Sequence, residues 1–293
     1  MLDNLKEGKN MKFGIALEGG ASRTLFSCGV LDVLLEEEIE ADYIIGVSAG
    51  IAFGTSYASK QKGRNLELAR KYMADRRYMG ARHMFRPKNR SYYNLDFVFD
   101  EIPNKYVPFD FEEYKKFKGN VVAGVTNMET GKAEYIEIPR GDKTSTALRA
   151  SCALPLMFKP IKIGGKYYVD GGVADPIPYK KALDDGCDKV IVILTREEDY
   201  VKKPEPTQRL VDIAYARYPQ LCKTIKERHE NYERQREELK RLEKEGKVFV
   251  IYPKDTKGFK RTESDPKLLE GIYNQGIEVM RERIEELKEF LNK

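Results

Sequence analysis

The stretch Tyr43-Ile44-Ile45-Gly46-Val47-Ser48-Ala49-Gly50 decides how this chain folds. Its first three residues form a short apolar run that reads as a buried strand. Gly46-Val47-Ser48-Ala49-Gly50 then matches G-x-S-x-G. The following Ile51 to Ser59 is rich in small residues, as a helix packed tightly on a sheet would be. The same order occurs upstream. Phe13 to Leu17 is an apolar run ending at Gly19-Gly20, and Leu25 to Leu35 reads as a helix closing in Glu36-Glu37-Glu38. Strand, turn and helix repeated in this way predict an α/β fold with a mostly parallel sheet.

Further along, Asn120 to Thr126 and Ala133 to Ile138 read as strands joined by a turn at Glu129-Thr130-Gly131. Thr146 to Ala150 reads as helix. Lys162 to Val169 reads as a hairpin around Gly164-Gly165 that ends at Asp170-Gly171-Gly172. Lys189 to Thr195 is the clearest buried strand. Gln208 to Glu245 is a charge-dense helical region with a break near Pro219, read as a solvated face. Lys247 to Tyr252 is a strand, and Pro266 to Asn292 a final amphipathic helix. Between Lys60 and Pro108 the chain is basic and aromatic. Arg70, Arg76, Arg77, Arg82, Arg86 and Arg90 alternate with Tyr72, Tyr78, Phe85, Tyr92, Tyr93, Phe97 and Phe99. This predicts a helix followed by a loop-rich cap, with arginine stems packed on aromatic rings in preference to a lipid or polyanion surface. No linker divides the chain, so residues 1–293 are expected to form a single domain with helical and strand additions over 196–293.

Composition narrows the function. The 293 residues hold 52 Lys plus Arg against 47 Asp plus Glu, a net charge of +5, and 41% are hydrophobic, which excludes a disordered chain. No apolar run reaches the ~18 residues of a membrane-spanning helix. Met1 to Asn10 is charged and lacks an apolar core, so no signal peptide and a cytoplasmic location are expected. Cys28, Cys152, Cys187 and Cys222 lie far apart, which fits free thiols in a reducing compartment better than disulfides or a zinc site. The only histidines, His83 and His229, leave little for a multi-histidine metal site or a haem pocket. The small positive charge is compatible with transient contact at an anionic membrane surface. No clustered basic stripe marks a nucleic-acid interface.

Three groups of residues carry chemistry. A nucleophilic serine on a tight strand-to-helix turn needs small neighbours on both sides, and Ser48 has Gly46 and Gly50. The turn also sets Ser48 at a helix N-terminus, where free N–H groups favour a developing oxyanion. The competing reading is a tight glycine turn with an incidental serine. For a base, His83 precedes any acid-bearing strand end, and His229 sits in Lys226-Glu227-Arg228-His229-Glu230; both read as surface histidines. Asp170, ending a strand before two glycines, is the better candidate, although taken alone an ordinary Asp-Gly turn accounts for it better. The third group, Glu18-Gly19-Gly20-Ala21-Ser22-Arg23, is a loop between strand and helix whose amides can hold an anion. It is neither a Walker loop nor a dinucleotide fingerprint.

In their order, these groups resemble the patatin-like phospholipase family: Gly19-Gly20-Ala21-Ser22-Arg23-Thr24, then Gly46-Val47-Ser48-Ala49-Gly50, then Asp170-Gly171-Gly172. Gly29-Val30-Leu31 and Arg149-Ala150-Ser151-Cys152-Ala153-Leu154-Pro155 also match. The resemblance spans about Lys12 to Thr195 and looks closest to small stand-alone bacterial members. It implies a three-layer α/β/α sandwich with additional C-terminal helices, and a Ser48–Asp170 dyad without histidine. It further implies an oxyanion hole from the Gly19 to Arg23 amides, no metal and no cofactor. The implied activity is hydrolysis of a carboxylic ester of a phospholipid or related lipid through an acyl-enzyme, a role in lipid degradation. The chain departs from the family's G-G-G-x-R/K-G loop at Ala21 and Thr24. A non-glycine at positive φ costs ~1–2 kcal/mol. The second reading is therefore a weakly active or non-catalytic patatin-fold protein that binds a lipid or a partner. Arg23 is expected either to meet a lipid phosphate or to pair with a structural carboxylate. Lipid class and oligomeric state are left open by the sequence.

Overall fold

A computed structural model describes residues 11–85 and 91–293. Met1 to Asn10, Arg86 and Arg90 lie outside the described residues. Among these residues eight strands form one sheet: β1 (Phe13–Leu17), β2 (Tyr43–Val47), β3 (Asn120–Asn127), β4 (Ala133–Glu137), β5 (Ile161–Ile163), β6 (Lys166–Asp170), β7 (Lys189–Ile193) and β8 (Val248–Ile251). Their order is β5-β6-β3-β2-β1-β7-β8, with β4 also on β3. The run β3-β2-β1-β7-β8 is parallel, and β4, β6 and β5 add antiparallel pairs at the β3 end. The helices are α1 (Leu25–Glu36), α2 (Ala49–Ala58), α3 (Arg64–Tyr72), α4 (Phe111–Lys116), α5 (Thr146–Ser151), α6 (Tyr179–Asp184), α7 (Gln208–Ala214), α8 (Pro219–Lys244), α9 (Pro266–Glu282) and α10 (Ile284–Asn292).

Alternation along the central strands makes the three layers. Ile15, Leu17, Ile44, Ile191 and Ile193 point to one face, where they pack with residues of α1, α2 and α9. Ala16, Tyr43, Ile45, Val190 and Val192 point to the other, against Tyr179 of α6 and Tyr232, Leu239 and Leu242 of α8. Strands buried on both faces are apolar throughout, which is why they were legible as short continuous runs. None of the described helices is long and apolar enough to cross a membrane.

The parallel core and the β5–β6 hairpin fall where the sequence puts them. The basic stretch forms α3, a 3₁₀ turn at Ala81–Phe85 and a π-helix at Phe97–Tyr106. Of its arginines, Arg77 packs on a ring, 4.6 Å from the Phe97 centroid, whereas Arg70 pairs with Glu270 and Arg82 donates to the Arg76 carbonyl; Arg64, at the start of α3, stands 5.3 Å from the Phe109 centroid. The six-residue helices α4 and α6 and the π-helix carry too few turns to show a period, and sequence reading missed them. The final helix is broken at Arg283, whose φ of −111° leaves the helical region. Its guanidinium stacks 4.2 Å from the Phe249 centroid and donates to the Val250 carbonyl at 2.7 Å, so sheet contacts set the break.

The C-terminal segment is bound into the core at two places. β8 pairs with β7, and α9 lies against α1 so closely that a Cβ on Gly276 would stand 2.1 Å from the Phe26 carbonyl oxygen. Tyr273 of α9 also donates its hydroxyl to buried Asp32 of α1 at 2.5 Å. Gly276→Ala is therefore expected to lower stability by about 1–3 kcal/mol through overpacking, measured by urea denaturation. An unchanged midpoint would mean that the two helices are not in this contact.

Candidate active site

Ser48 follows the last residue of β2 and caps α2, with φ 54° and ψ −137°. A non-glycine residue held there costs about 1–3 kcal/mol, and surrounding contacts must hold it in place. The Ser48 N–H donates to Ser151 Oγ at 2.8 Å, and Ser151 Oγ donates to the Gly124 carbonyl at 2.7 Å. Ser151 is fully buried in α5. It thus ties the strained turn to β3.

Asp170 reaches Ser48 through the sheet. Gly124 of β3 pairs with Val47 of β2, and the next residue, Val125, pairs with Asp170 of β6. Because β4 pairs with both Gly124 and Val125, β2 and β6 must share the other edge of β3. The end of β2 and the end of β6 therefore meet. The Asp170 carboxylate is buried, accepts the Gly172 N–H at 2.8 Å and lies within hydrogen-bonding reach of the Ser48 hydroxyl. Burial pushes its pKa up, opposed by the Ser48 hydroxyl, the Arg228 guanidinium and the Gly172 amide. The Cys152 thiol also bonds Ser48, and burial pushes that thiol up, keeping it protonated.

The loop after β1 closes the site. A Cβ on Gly19 would stand 2.8 Å from Ser48 Cβ, so only glycine lets the backbone approach the serine this closely. Of the five loop amides, two are spent elsewhere: Ser22 N–H donates to the Arg261 carbonyl at 3.1 Å and Arg23 N–H to the Gly20 carbonyl at 3.2 Å. Among the described residues, the N–H groups of Gly19, Gly20 and Ala21 have no hydrogen-bond partner. Ala21 has φ 50°, so the position does take the left-handed conformation that glycine favours; Thr24, at φ −62°, carries no such strain. Gly46 and Val47 close β2, Ala49 and Gly50 open α2, and Gly171 and Gly172 follow Asp170 in a 3₁₀ turn ending at Val173.

These pieces line one cavity of about 310 Å³. Its apolar lining includes Phe53, Met73, Tyr78, Leu95, Phe99 and Met157, many from the basic–aromatic cap. Its charged lining includes Arg23, Arg196, Lys202, Arg228 and Arg261. Neither histidine lines it. His83 is not a surface residue as expected: it is fully buried, and its Nε2 contacts the Arg76 carbonyl at 2.9 Å within the cap. His229 sits on α8 with its Nδ1 3.0 Å from the Lys226 carbonyl. The solvated reading of α8 also needs correction. Leu221, Ile225 and Tyr232 form a buried stripe at helical spacing, and Arg228, half-buried, lies on the same face. That spacing was available in the sequence but was masked by the charges around it.

Comparison with known proteins agrees with the motif order. The family model for patatin-like phospholipase matches residues 15–183. A second model, described as a domain of unknown function (DUF6363), matches residues 218–292. The chain is 22% identical over 247 residues to "Uncharacterized protein YjjU" of Escherichia coli strain K12, covering 83% of this chain and 68% of that one. Among solved structures it is similar to VipD from Legionella pneumophila at 11% identity and a TM-score of 0.42, over 93% of this chain and 67% of that one.

Removing the Ser151 hydroxyl strands the Ser48 N–H and the buried Gly124 carbonyl. Ser151→Ala should cost about 1–3 kcal/mol in chemical denaturation. A neutral substitution would show that the turn at Ser48 is held by something else.

Proposed function

The chain belongs to the patatin-like phospholipase family, and from that membership we propose that it hydrolyses a carboxylic ester of a phospholipid or related lipid, with Ser48 as nucleophile and Asp170 as base. The observation that carries this reading is the buried Asp170 carboxylate within reach of a strained serine that lines a partly apolar cavity. Ser48 Oγ attacks the ester carbonyl carbon as its proton passes to Asp170. The carbonyl oxygen becomes an oxyanion facing the open amides of Gly19, Gly20 and Ala21. Collapse expels the alcohol, which takes the proton from Asp170. Water, deprotonated by Asp170, then attacks the acyl-enzyme, and Asp170 returns that proton to Ser48 Oγ as the carboxylic acid is released.

The apolar wall supports an acyl chain as the group transferred, since an alkyl chain gains about 0.8 kcal/mol for each methylene it buries. Residues 11–293 are read as one domain, a family core with additions from residue 196 onward, supported by the β7–β8 pairing and the α1–α9 contact. The second reading, a weakly active or non-catalytic binder, keeps one supporting observation. Ala21 occupies a left-handed position and bears the strain that glycine would avoid.

A fluorophosphonate probe should label the wild type and leave Ser48→Ala unlabelled; folded wild type that resists the probe counts against the hydrolase reading. Asp170→Asn should keep the fold and lose about 10²–10⁴ in kcat, the usual worth of a general base. Turnover needs ionised Asp170, and burial raises its pKa. Ester hydrolysis should therefore fall as pH drops through a value above the ordinary aspartate range of about 3.9. An acid limb of kcat/KM at or below that range contradicts the assignment of Asp170 as base.

A further inference from the structure

The polar side of the cavity is charged in a way the ester chemistry does not use. Five cations line it, Arg23, Arg196, Lys202, Arg228 and Arg261, against two carboxylates, Glu18 and Asp170. Many surface cations pair with carboxylates, as in Lys254 with Glu282 and Arg283 with Glu286, and buried Arg64 and Arg236 are satisfied by backbone carbonyls. Among the described residues, none of the five cavity cations forms an ion pair with a carboxylate. Glu18 accepts the Thr195 N–H at 2.6 Å and its hydroxyl at 3.0 Å, and its charge offsets part of the positive field at Arg23 and Lys202. The Arg23 side chain is only 7% exposed, and its Nε is buried without a hydrogen-bond partner.

The five converge. Arg196 and Arg261 both act on Arg23, Arg228 and Arg261 act on Lys202, and Arg228 feels Asp170 first and then Arg261. Burial first, and then this crowding, lowers Arg23 to about 10 and Lys202 to about 7. Like charges gathered at a partly desolvated wall are costly unless an anion joins them. They arrive from separate segments: Arg196 and Lys202 from the chain after β7, Arg228 from α8, Arg261 from the chain between β8 and α9. These four lie beyond residue 183, where the family match ends.

Building on the ester-hydrolase reading, we infer that Arg196, Lys202, Arg228 and Arg261, with Arg23, form a subsite for a phosphate monoester, and that the lipid ester bound beside Ser48 carries this dianion on its head. With Lys202 lowered to about 7, the four guanidiniums against two carboxylates still leave an excess of at least two positive charges, which suits a group with two negative charges. Guanidinium forks match the oxygens of a terminal phosphate. The same field repels the quaternary ammonium of a choline head and gives nothing to a neutral alcohol. The C-terminal segment then acts as the selector of the head, while the cap holds the acyl chain.

The test compares oleoylglycerol phosphate, oleoylglycerophosphocholine and oleoylglycerol in the same detergent micelles. For wild type, kcat/KM should favour the phosphate monoester by about tenfold or more, the worth of one charge-assisted hydrogen bond. In Lys202→Ala and in Arg261→Ala that ratio should shrink by about the same factor, mainly through KM. Equal kcat/KM for the three esters in wild type overturns the inference while leaving the hydrolase reading intact. Calorimetric titration of Ser48→Ala with oleoylglycerol phosphate and with inorganic phosphate needs no turnover. Binding of the lipid, weakened in Ser48→Ala/Lys202→Ala, supports the subsite even if no ester is hydrolysed. Inorganic phosphate binding as tightly as the lipid, with no ester preference, would identify a free anion as the ligand and overturn the assignment to the head. Should either cation variant fail to fold, the wild-type ester ratio and the Ser48→Ala titration still decide.

Discussion

Two neighbouring residues of β3 determine where the candidate chemistry sits. Gly124 pairs with Val47 and Val125 with Asp170, on the same edge of one strand. A parallel strand arriving from one direction and an antiparallel strand arriving from the other are thereby brought end to end. The spacing between a serine and an aspartate more than a hundred residues apart is set by a single peptide unit of β3. Ser151 reinforces the register by bonding the Gly124 carbonyl and the Ser48 amide together. The positive φ of Ser48 persists because these neighbours over-determine it.

Around that junction the cavity divides by origin. The apolar wall comes largely from the cap between α2 and β3, where arginine stems lie over aromatic rings and expose little charge to the interior. The charged wall comes largely from the chain after β7. Desolvation acts on both sides of the junction but in opposite senses: it raises the carboxyl of Asp170 and lowers the ammonium of Lys202. Arg228 bears on both groups. It favours the ionised form of Asp170 and disfavours the charged form of Lys202.

The sequence was most legible where burial is two-sided. Phe13–Leu17 was read with its observed bounds, and the strand read from Lys189 to Thr195 ends two residues earlier, at Ile193. The short elements α4 and α6 and the π-helix left no periodic trace. His83 shows a different kind of miss. A histidine amid arginines looked like a surface residue, yet a neighbouring backbone carbonyl accepts its ring inside the cap. Arg228 was hidden by its charged neighbours, although its spacing from Ile225 and Tyr232 put it, half-buried, on the inward face of α8.

By itself the sequence determined the alternation of strand and helix, the serine on its tight turn, the aspartate at a strand end, and a shortage of histidine that directed attention to a dyad. These follow from local pattern: period, glycine placement and residue type. Only the tertiary structure decided that the β6 end meets the β2 end, that two of the five loop amides are already engaged, and that four cations from the C-terminal segment converge on the same cavity. Each of these depends on contacts between residues far apart in the chain. Such contacts are fixed by sheet register and helix packing, which no local pattern records.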